Sequence, residues 1–194
     1  MLRYDPEAAV AHLREADPTL ARVIDSIGPF TMEPREGSFR SLARAIFFQQ
    51  LAGPAARAIM NRVMEVLNTD EKRFFTPEQF IAAKDEQLRT AGLSRQKLAY
   101  LRDLSVKFAS GQLKEGEFAS LEDEEVITRA SSVKGIGRWT AEMFLIFSLG
   151  RPDVLPVDDV GVQRGFRQTY SLPGPPTPEE MQRIAEPWQP YRSV

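Results

Sequence analysis

The sequence predicts an all-α protein. Apolar residues recur at helical spacing through most of the chain, and prolines that follow Asp or Thr mark the starts of helices. No stretch alternates apolar and polar residues as a half-buried strand would. A length of 194 residues is enough for one sizeable core or two small lobes.

The N-terminal region carries two helix-start signals. Asp-Pro pairs at positions 5–6 and 17–18 place an N-cap before a proline at the first helical position. Gly28 is expected to end the second helix, and residues 30–37 read as a linker. The single histidine, His12, is interpreted as a solvated residue of the first helix, so a histidine-based triad or metal site has little support.

The central region reads as a series of short helices. Ser38 can cap a helix through Phe48, residues 49–53 interrupt it, and Pro54 opens the next helix. A hydroxyl residue precedes each of three further helical stretches, two in this region and one near the C-terminus, and is a predicted cap: Thr76, Ser94 and Thr177. The helix after Ser94 has its apolar positions in one stripe.

The C-terminal region contains the most apolar helix. Residues 138–149 are apolar nearly all round, which is typical of a helix in the middle of a fold. Residues 154–157 read as extended. Asp158 or Asp159 then caps a helix through Gln168, and a proline-rich loop precedes the last helix.

Composition excludes several kinds of chemistry. With no cysteine there is no disulfide, no thiol nucleophile and no cysteine-held zinc or iron–sulfur centre. The net charge is −2 and the pI is about 5.6, so any contact with DNA must come from local arrangement rather than bulk charge. The sequence shows no secretory signal and no apolar run near the roughly 20 residues of a membrane span, which favours a cytoplasmic protein with no membrane partner.

A glycine turn is the strongest local motif. Residues 133–141 read VKGIGRWTA, with two glycines flanking one apolar residue between two helical segments, the first at residues 123–131. Both glycines can take φ > 0, and the N-terminus of the second helix offers free N–H groups and partial positive charge, which together form a phosphate cradle. A plain tight turn is the alternative. The candidate phosphate-binding residues are Lys134, Gly135, Gly137, Arg138 and Thr140.

This hairpin, followed by LPVDD at residues 155–159, resembles the helix-hairpin-helix DNA glycosylases, and within them the DNA-3-methyladenine glycosylase II group. Residues 45–53, AIFFQQLAG, are similar to the base-displacing loop of that group. Residues 186–193, EPWQPYRS, are similar to its C-terminal signature. The resemblance runs from about residue 38 to the end of the chain.

The resemblance implies a fold of two helical lobes with a cleft between them and the hairpin at the cleft. One lobe would be built from residues 1–37 and 151–194. The other would be residues 38–150, ending in the helix-hairpin-helix at about 123–149. Relatives continue into a further helix after residues 191–193, so we expect either a truncated chain or a more open pocket, and their N-terminal β-rich domain has no room here.

The resemblance also assigns roles. Asp159 is the expected catalytic carboxylate, which stabilises an oxocarbenium-like sugar or orients the attacking water. Asp158 is then an N-cap or turn residue, although plain capping by both aspartates is the alternative. Leu51, with Gln50 beside it, is the expected wedge that fills the gap left by the flipped base; the alternative is a leucine folded into the core.

For the base pocket, Trp139 is the first candidate. An alkylated purine is cationic, and an indole face attracts a cation by roughly 0.5–2 kcal/mol, although core packing is the alternative role. Met143 stands where related glycosylases have a pocket tyrosine, which leaves the choice of base open. Phe47 and Phe48 supply replacement aromatic surface or are simply core.

The expected activity is removal of alkylated bases from double-stranded DNA by a monomer. In bifunctional relatives a lysine that attacks the sugar stands where this chain has Trp139, so hydrolysis by water without lyase activity is expected. No cofactor and no side-chain metal site are expected, and the resemblance allows a monovalent cation on the hairpin carbonyls. The alternatives are a glycosylase for mismatched or oxidised bases and a non-catalytic module that binds DNA or a partner.

Overall fold

The computed structural model describes residues 2–34 and 38–194, and all regular structure in these ranges is helical. The all-α prediction is confirmed. The α-helices are α1 (Pro6–Ala16), α2 (Pro18–Ile27), α3 (Ser38–Phe48), α4 (Gly53–Val66), α5 (Pro77–Ala82), α6 (Asp85–Thr90), α7 (Arg95–Ala109), α8 (Asp123–Ser131), α9 (Arg138–Phe147), α10 (Val160–Thr169) and α11 (Pro178–Ile184). Two short 3₁₀ helices cover Glu117–Ala119 and Glu186–Trp188.

The chain divides into two compact units. The terminal unit combines Met1–Pro34 with Leu145–Val194, and the central unit is Arg35–Phe144. Helix α9 begins in the central unit, and its last residues belong to the terminal unit. The predicted boundary after residue 37 lies at a segment outside the described residues, and the cleft stays a prediction.

The terminal unit is built around one apolar cluster. Its buried members come from α1, α10, α11 and the 3₁₀ helix that follows α11: Leu13, Phe166, Met181, Ala185 and Trp188. The Phe166 and Trp188 rings lie 5.2 Å apart between centroids. Burial of such side chains stabilises the fold by about 1.5–3 kcal/mol each, so this cluster holds α10 against the two ends of the chain.

Asp17 ties three parts of the terminal unit together. Its Oδ2 accepts hydrogen bonds from the Tyr170 hydroxyl at 2.5 Å and from Trp188 Nε1 at 3.0 Å, while its Oδ1 caps α2 through the N–H groups of Thr19 and Leu20. Burial raises the pKa of Asp17, but the donated hydrogen bonds outweigh it and hold that pKa below its ordinary value. Burial and the bond to Asp17 raise the pKa of Tyr170.

In the central unit, α7 is the element against which α3, α5 and α6 pack. The predicted apolar stripe forms its inner face, where three leucines are buried: Leu98, Leu101 and Leu104. Ser94 caps α7 by accepting from the Lys97 N–H at 3.2 Å, and Thr76 caps α5 within a capping box, as the sequence predicts.

Some features differ from the sequence expectation, and at the start of α3 a residue distant in sequence is the reason. Ser38 is the first residue of α3, and Glu115 accepts from its N–H at 2.6 Å and from the Phe39 N–H at 2.8 Å. Helix α9 ends at Phe147, two residues before the predicted end at residue 149.

His12 was expected to be solvated, but its ring lies 5.4 Å from that of Tyr191 and its Nε2 is 3.2 Å from the Pro187 carbonyl oxygen.

None of the helices in residues 2–34 and 38–194 combines the length and the apolar character that a bilayer span requires.

Candidate nucleic-acid interface

The hairpin is the turn of residues 132–137 between α8 and α9. Gly135 has φ 81°, a left-handed conformation that favours glycine. A Cβ at this position would lie 2.1 Å from the ring of Tyr100, so packing forbids a side chain as well. Ile136, between the glycines, is buried and anchors the turn in the central unit. The hairpin therefore has one shape, set by α7 beneath it.

At position 137, neither the backbone conformation nor the packing of the described residues requires a glycine. The φ of Gly137 is not positive, so of the two glycines that can adopt φ > 0 only Gly135 does so. An added Cβ would have no described heavy atom within 4 Å. The Gly137 carbonyl accepts from the Ala141 N–H at 3.1 Å, which opens α9. The open space at Gly137 lets the backbone of another molecule approach the start of α9 closely.

The N–H groups of the hairpin are partly used within the protein. The Lys134 N–H donates to Asp103 Oδ2 at 2.9 Å, and the Ile136 N–H donates to the Val133 carbonyl at 3.1 Å. The first turn of α9 has no intrahelical acceptors for its own N–H groups. Thr140 is only 6% exposed, so its side chain is a core group rather than a phosphate ligand.

Arg138 is held by two carboxylates. It forms a bidentate pair with Glu124, at 2.5 and 3.1 Å, and its Nε donates to Glu142 at 3.1 Å. The pair with Glu124 raises the pKa of Arg138, and the hydrogen bond from Arg138 lowers the pKa of Glu124. Because this charge is compensated within the protein, Arg138 is a poor phosphate ligand, and the exposed Lys134 is the remaining cationic candidate.

The wedge loop is residues 49–52, between α3 and α4. Gln50 has φ 54°, which is uncommon for a residue other than glycine. Leu51 is 39% exposed at the tip of the loop, so it is not folded into the core. Behind it, the Gln49 side-chain amide donates to the Gly135 carbonyl at 2.7 Å, which joins this loop to the hairpin.

The expected pocket residues separate into exposed and buried groups. Trp139 is 43% exposed, so core packing does not account for it, and Met143 is half-buried. Phe47 is 1% exposed and lies edge-on to Phe75, which makes it a core residue and removes it from the pocket candidates. Phe48 is half-buried, and the Arg44 guanidinium lies 5.6 Å from its ring centroid.

Asp159 lies in the terminal unit at the start of α10. Its Oδ1 accepts from the Val162 N–H at 2.8 Å, so Asp159 itself is the N-cap and the exposed Asp158 is not. A Cβ added to Gly161 would lie 3.0 Å from the same oxygen. The half-buried Asp159 carboxylate is therefore held in one orientation by its own helix, and the glycine leaves room for it.

The segment that leads to Asp159 is pinned by the end of the chain. Arg192 pairs with Asp153 through two contacts, at 2.6 and 2.8 Å, and Ser193 Oγ accepts from the Val154 N–H at 2.8 Å. These side chains belong to the stretch resembling the C-terminal signature, so the signature has a structural role in positioning the start of α10.

Sequence reasoning missed four residues that position the site: Gln49, Lys97, Tyr100 and Asp103. The last three recur at every third position of α7, which indicates that they share a face. That spacing says nothing about what the face touches, because the wedge loop and the hairpin are distant along the chain.

In residues 2–34 and 38–194, no three His, Asp or Glu side chains are grouped so that they could hold a metal ion. The Val133 and Gly135 carbonyls each accept a hydrogen bond. A carbonyl oxygen has two lone pairs, so these contacts leave room for a monovalent cation, and the expectation of one stays a prediction.

A family model described as HhH-GPD superfamily base excision DNA repair protein matches residues 43–190. The chain belongs to this superfamily. It is 37% identical over 191 residues to DNA-3-methyladenine glycosylase 1 of Schizosaccharomyces pombe, covering 96% of this chain and 82% of the relative.

Two solved structures extend the similarity to the fold. One is the Schizosaccharomyces pombe 3-methyladenine DNA glycosylase in complex with abasic DNA, with a TM-score of 0.84, 34% identity, and coverage of 96% of this chain and 91% of that one. The other is a DNA-3-methyladenine glycosidase from Bacillus halodurans, with a TM-score of 0.86, 36% identity, and coverage of 100% and 87%.

Proposed function

We propose that this protein is a monofunctional DNA glycosylase that removes alkylated, 3-methyladenine-like bases and leaves an abasic site. The observation that carries the proposal is the similarity, over nearly the whole of this chain and most of the relative, to a protein named DNA-3-methyladenine glycosylase 1. The relative solved with abasic DNA, the product of such a reaction, supports the same activity. The proposed partner is double-stranded DNA, bound by one copy of the chain.

The proposed reaction begins with a grip on the DNA backbone. A base inside a duplex is out of reach of an enzyme and must be rotated out, at a cost of a few kcal/mol. The N–H groups at the start of α9 hold a phosphate where Gly137 allows close approach, with Lys134 adding charge. Leu51 then enters the gap that the displaced base leaves.

Bond cleavage is assigned to Asp159. The glycosidic bond breaks toward an oxocarbenium-like sugar, and a fixed carboxylate stabilises that charge and orients the attacking water. A cationic alkylated base leaves without a strong general acid, and the exposed face of Trp139 favours it over a neutral base. The N-cap hydrogen bond supports this role because it holds the Asp159 carboxylate in one orientation.

The experiment that tests the proposal measures release of labelled bases from methylated DNA, resolved by chromatography. Wild-type protein should release 3-methyladenine, and Asp159→Asn should release it about 10³-fold more slowly while still binding the duplex. Binding without release by the wild type would instead indicate the non-catalytic module.

The absence of lyase activity has its own test. Trp139 offers no amine to attack the sugar, so incubation with abasic DNA under borohydride should trap no covalent adduct. The matched variant Trp139→Lys places an amine at that position and tests whether an amine there forms the covalent adduct. A strong adduct with the wild type would contradict hydrolysis by water.

A second candidate is a glycosylase with a different range of bases. Met143 favours it, because related glycosylases have a pocket tyrosine at this position and the flexible methionine side chain can adapt to bases of different shape. A panel of duplexes with single methylated, deaminated, oxidised or mismatched bases separates the two candidates. Faster release of an oxidised or mismatched base than of a methylated purine would favour the second.

A further inference from the structure

We propose that Gln49 is a positioning residue that ties the wedge loop to the hairpin, so that base displacement and phosphate grip act as one rigid device. The inference rests on the proposed function. Gln49 does not touch the base or the sugar in this role; it acts through Leu51 and the hairpin.

Both loops are anchored on one face of α7. Lys97 Nζ donates to the Phe47 carbonyl at 2.6 Å, at the end of α3 just before the wedge loop. One turn further, the Tyr100 ring lies directly beneath Gly135. Another turn on, Asp103 accepts from the Lys134 N–H at 2.9 Å. The same helix therefore sets the position of each loop.

The Gln49 hydrogen bond closes this arrangement into a ring. Its amide reaches the Gly135 carbonyl at 2.7 Å, across a separation of 86 residues in sequence. Without it, the wedge loop meets α7 through the Lys97 contact at its start, and the hairpin meets α7 through Tyr100 and Asp103, with no link between the two loops. With it, the residue directly before Gln50 and Leu51 is fixed to the turn that grips the phosphate.

The tip of the wedge loop has one long backbone hydrogen bond of its own, from the Leu51 N–H to the Phe48 carbonyl at 3.5 Å, and the tether adds to it. Gln50 has φ 54°, a conformation that persists only where surrounding contacts hold it. Leu51 is exposed, so core packing does not hold the tip. A hydrogen bond on the preceding residue supplies the constraint.

The tether has a specific consequence for the reaction. A wedge held at a fixed distance from the gripped phosphate enters the stack at the damaged step without a search over loop conformations. Its benefit is largest when the lesion is paired and stacked, and smallest when the base is already unpaired. A purely structural contribution would not depend on the pairing of the lesion.

The test compares Gln49→Met, which keeps the length of the side chain and removes the donor, with the wild type. The control is Gln112→Met, the same change at an exposed residue of the turn after α7. Base release is measured in single turnovers at saturating protein, from a duplex with one methylated purine that is either paired or opposite an abasic analogue. Thermal melting and affinity for undamaged duplex are measured alongside.

Gln49→Met should slow release from the paired duplex by about 10- to 100-fold, because a misplaced group of this kind costs that much in rate. The deficit should fall below about threefold opposite the abasic analogue, where unpairing is already done. Duplex affinity and melting temperature should stay close to those of Gln112→Met. An equal deficit in both duplexes, or no deficit, overturns the inference.

A second readout needs no bond cleavage. 2-Aminopurine beside a paired methylated purine whose sugar is modified to resist cleavage brightens when the wedge unstacks it, so the wild type should raise its fluorescence and Gln49→Met should not. A wild type that unstacks 2-aminopurine but releases no base would overturn the proposed function, and the tether would still be supported if Gln49→Met failed to unstack it. Equal fluorescence with Gln49→Met overturns the tether alone.

Discussion

Replacement of Asp159 by asparagine separates its two roles. The carboxylate caps α10 through Oδ1 and, in the proposed reaction, faces the developing positive charge of the sugar. Asparagine keeps an oxygen that can accept from the Val162 N–H and is as good an N-cap as aspartate. Alanine removes both the cap and the charge.

The expected effect on stability follows from the cap alone. Asp159→Asn should change the free energy of unfolding by less than about 0.5 kcal/mol, whereas Asp159→Ala should lower it by about 1 kcal/mol, the usual cost of a lost cap. Urea denaturation with a common m-value resolves the two variants.

The expected effect on activity follows from the charge. Two unit charges about 4 Å apart interact by about 4 kcal/mol at an effective dielectric constant of 20. Loss of that term from the transition state slows base release by about 10³-fold, because each 1.4 kcal/mol is a factor of ten. Both variants should show this loss in single-turnover release of labelled base.

The refuting result is an Asp159→Asn protein that excises at nearly the wild-type rate. Asp159 would then be a cap and nothing more. A melting temperature that falls as far as that of Asp159→Ala would show instead that asparagine does not preserve the cap, and the activity measurement would lose its meaning as a test of charge.

Three further predictions concern glycines and acid stability. Gly161→Ala should gain up to about 1 kcal/mol of helix propensity but release base slowly, because the new Cβ would lie 3.0 Å from the Asp159 carboxylate oxygen. Gly165→Ala is the control, since an added Cβ there has nothing within 4 Å, and it should release base at the wild-type rate. Equal rates for the two variants would contradict the steric argument. Gly135→Ala should destabilise by about 2 kcal/mol or more, because φ is 81° and the new Cβ would lie 2.1 Å from the Tyr100 ring. Gly137→Ala should change stability by less than about 1 kcal/mol and weaken DNA binding in titrations. The pKa of Asp17 lies below its ordinary 3.8, so its contribution to stability is complete above that pH and is lost as pH falls through the folded pKa. In Asp17→Asn, the melting temperature should therefore fall less steeply with pH in this acid range. An unchanged dependence on pH would assign the loss to other groups.

The helices were predictable because their signals are local. A cap and the N–H groups it satisfies lie within three residues of each other, as Asp17 and Thr76 show. The apolar stripe of α7 has the period of the helix, so its buried face follows from spacing alone. Residues 133–141 and Asp159 were identified as candidates from short motifs and from family resemblance.

Burial within a motif was not predictable. Phe47 and Phe48 are neighbours of the same chemistry, yet one is core and the other half-buried, because the helix turns them toward different surroundings. Arg138 looked like a phosphate ligand, but two carboxylates from α8 and α9 compensate its charge.

By itself the sequence determined the all-α class, most helix starts and the family, because those depend on contacts within a turn of helix and on short motifs. Only the tertiary structure decided that Glu115 caps α3 from 77 residues away and that Gln49 bonds to Gly135 from 86 residues away. Such contacts depend on how α7 and its neighbours pack, and packing brings together groups whose pairing leaves no period or spacing in the chain.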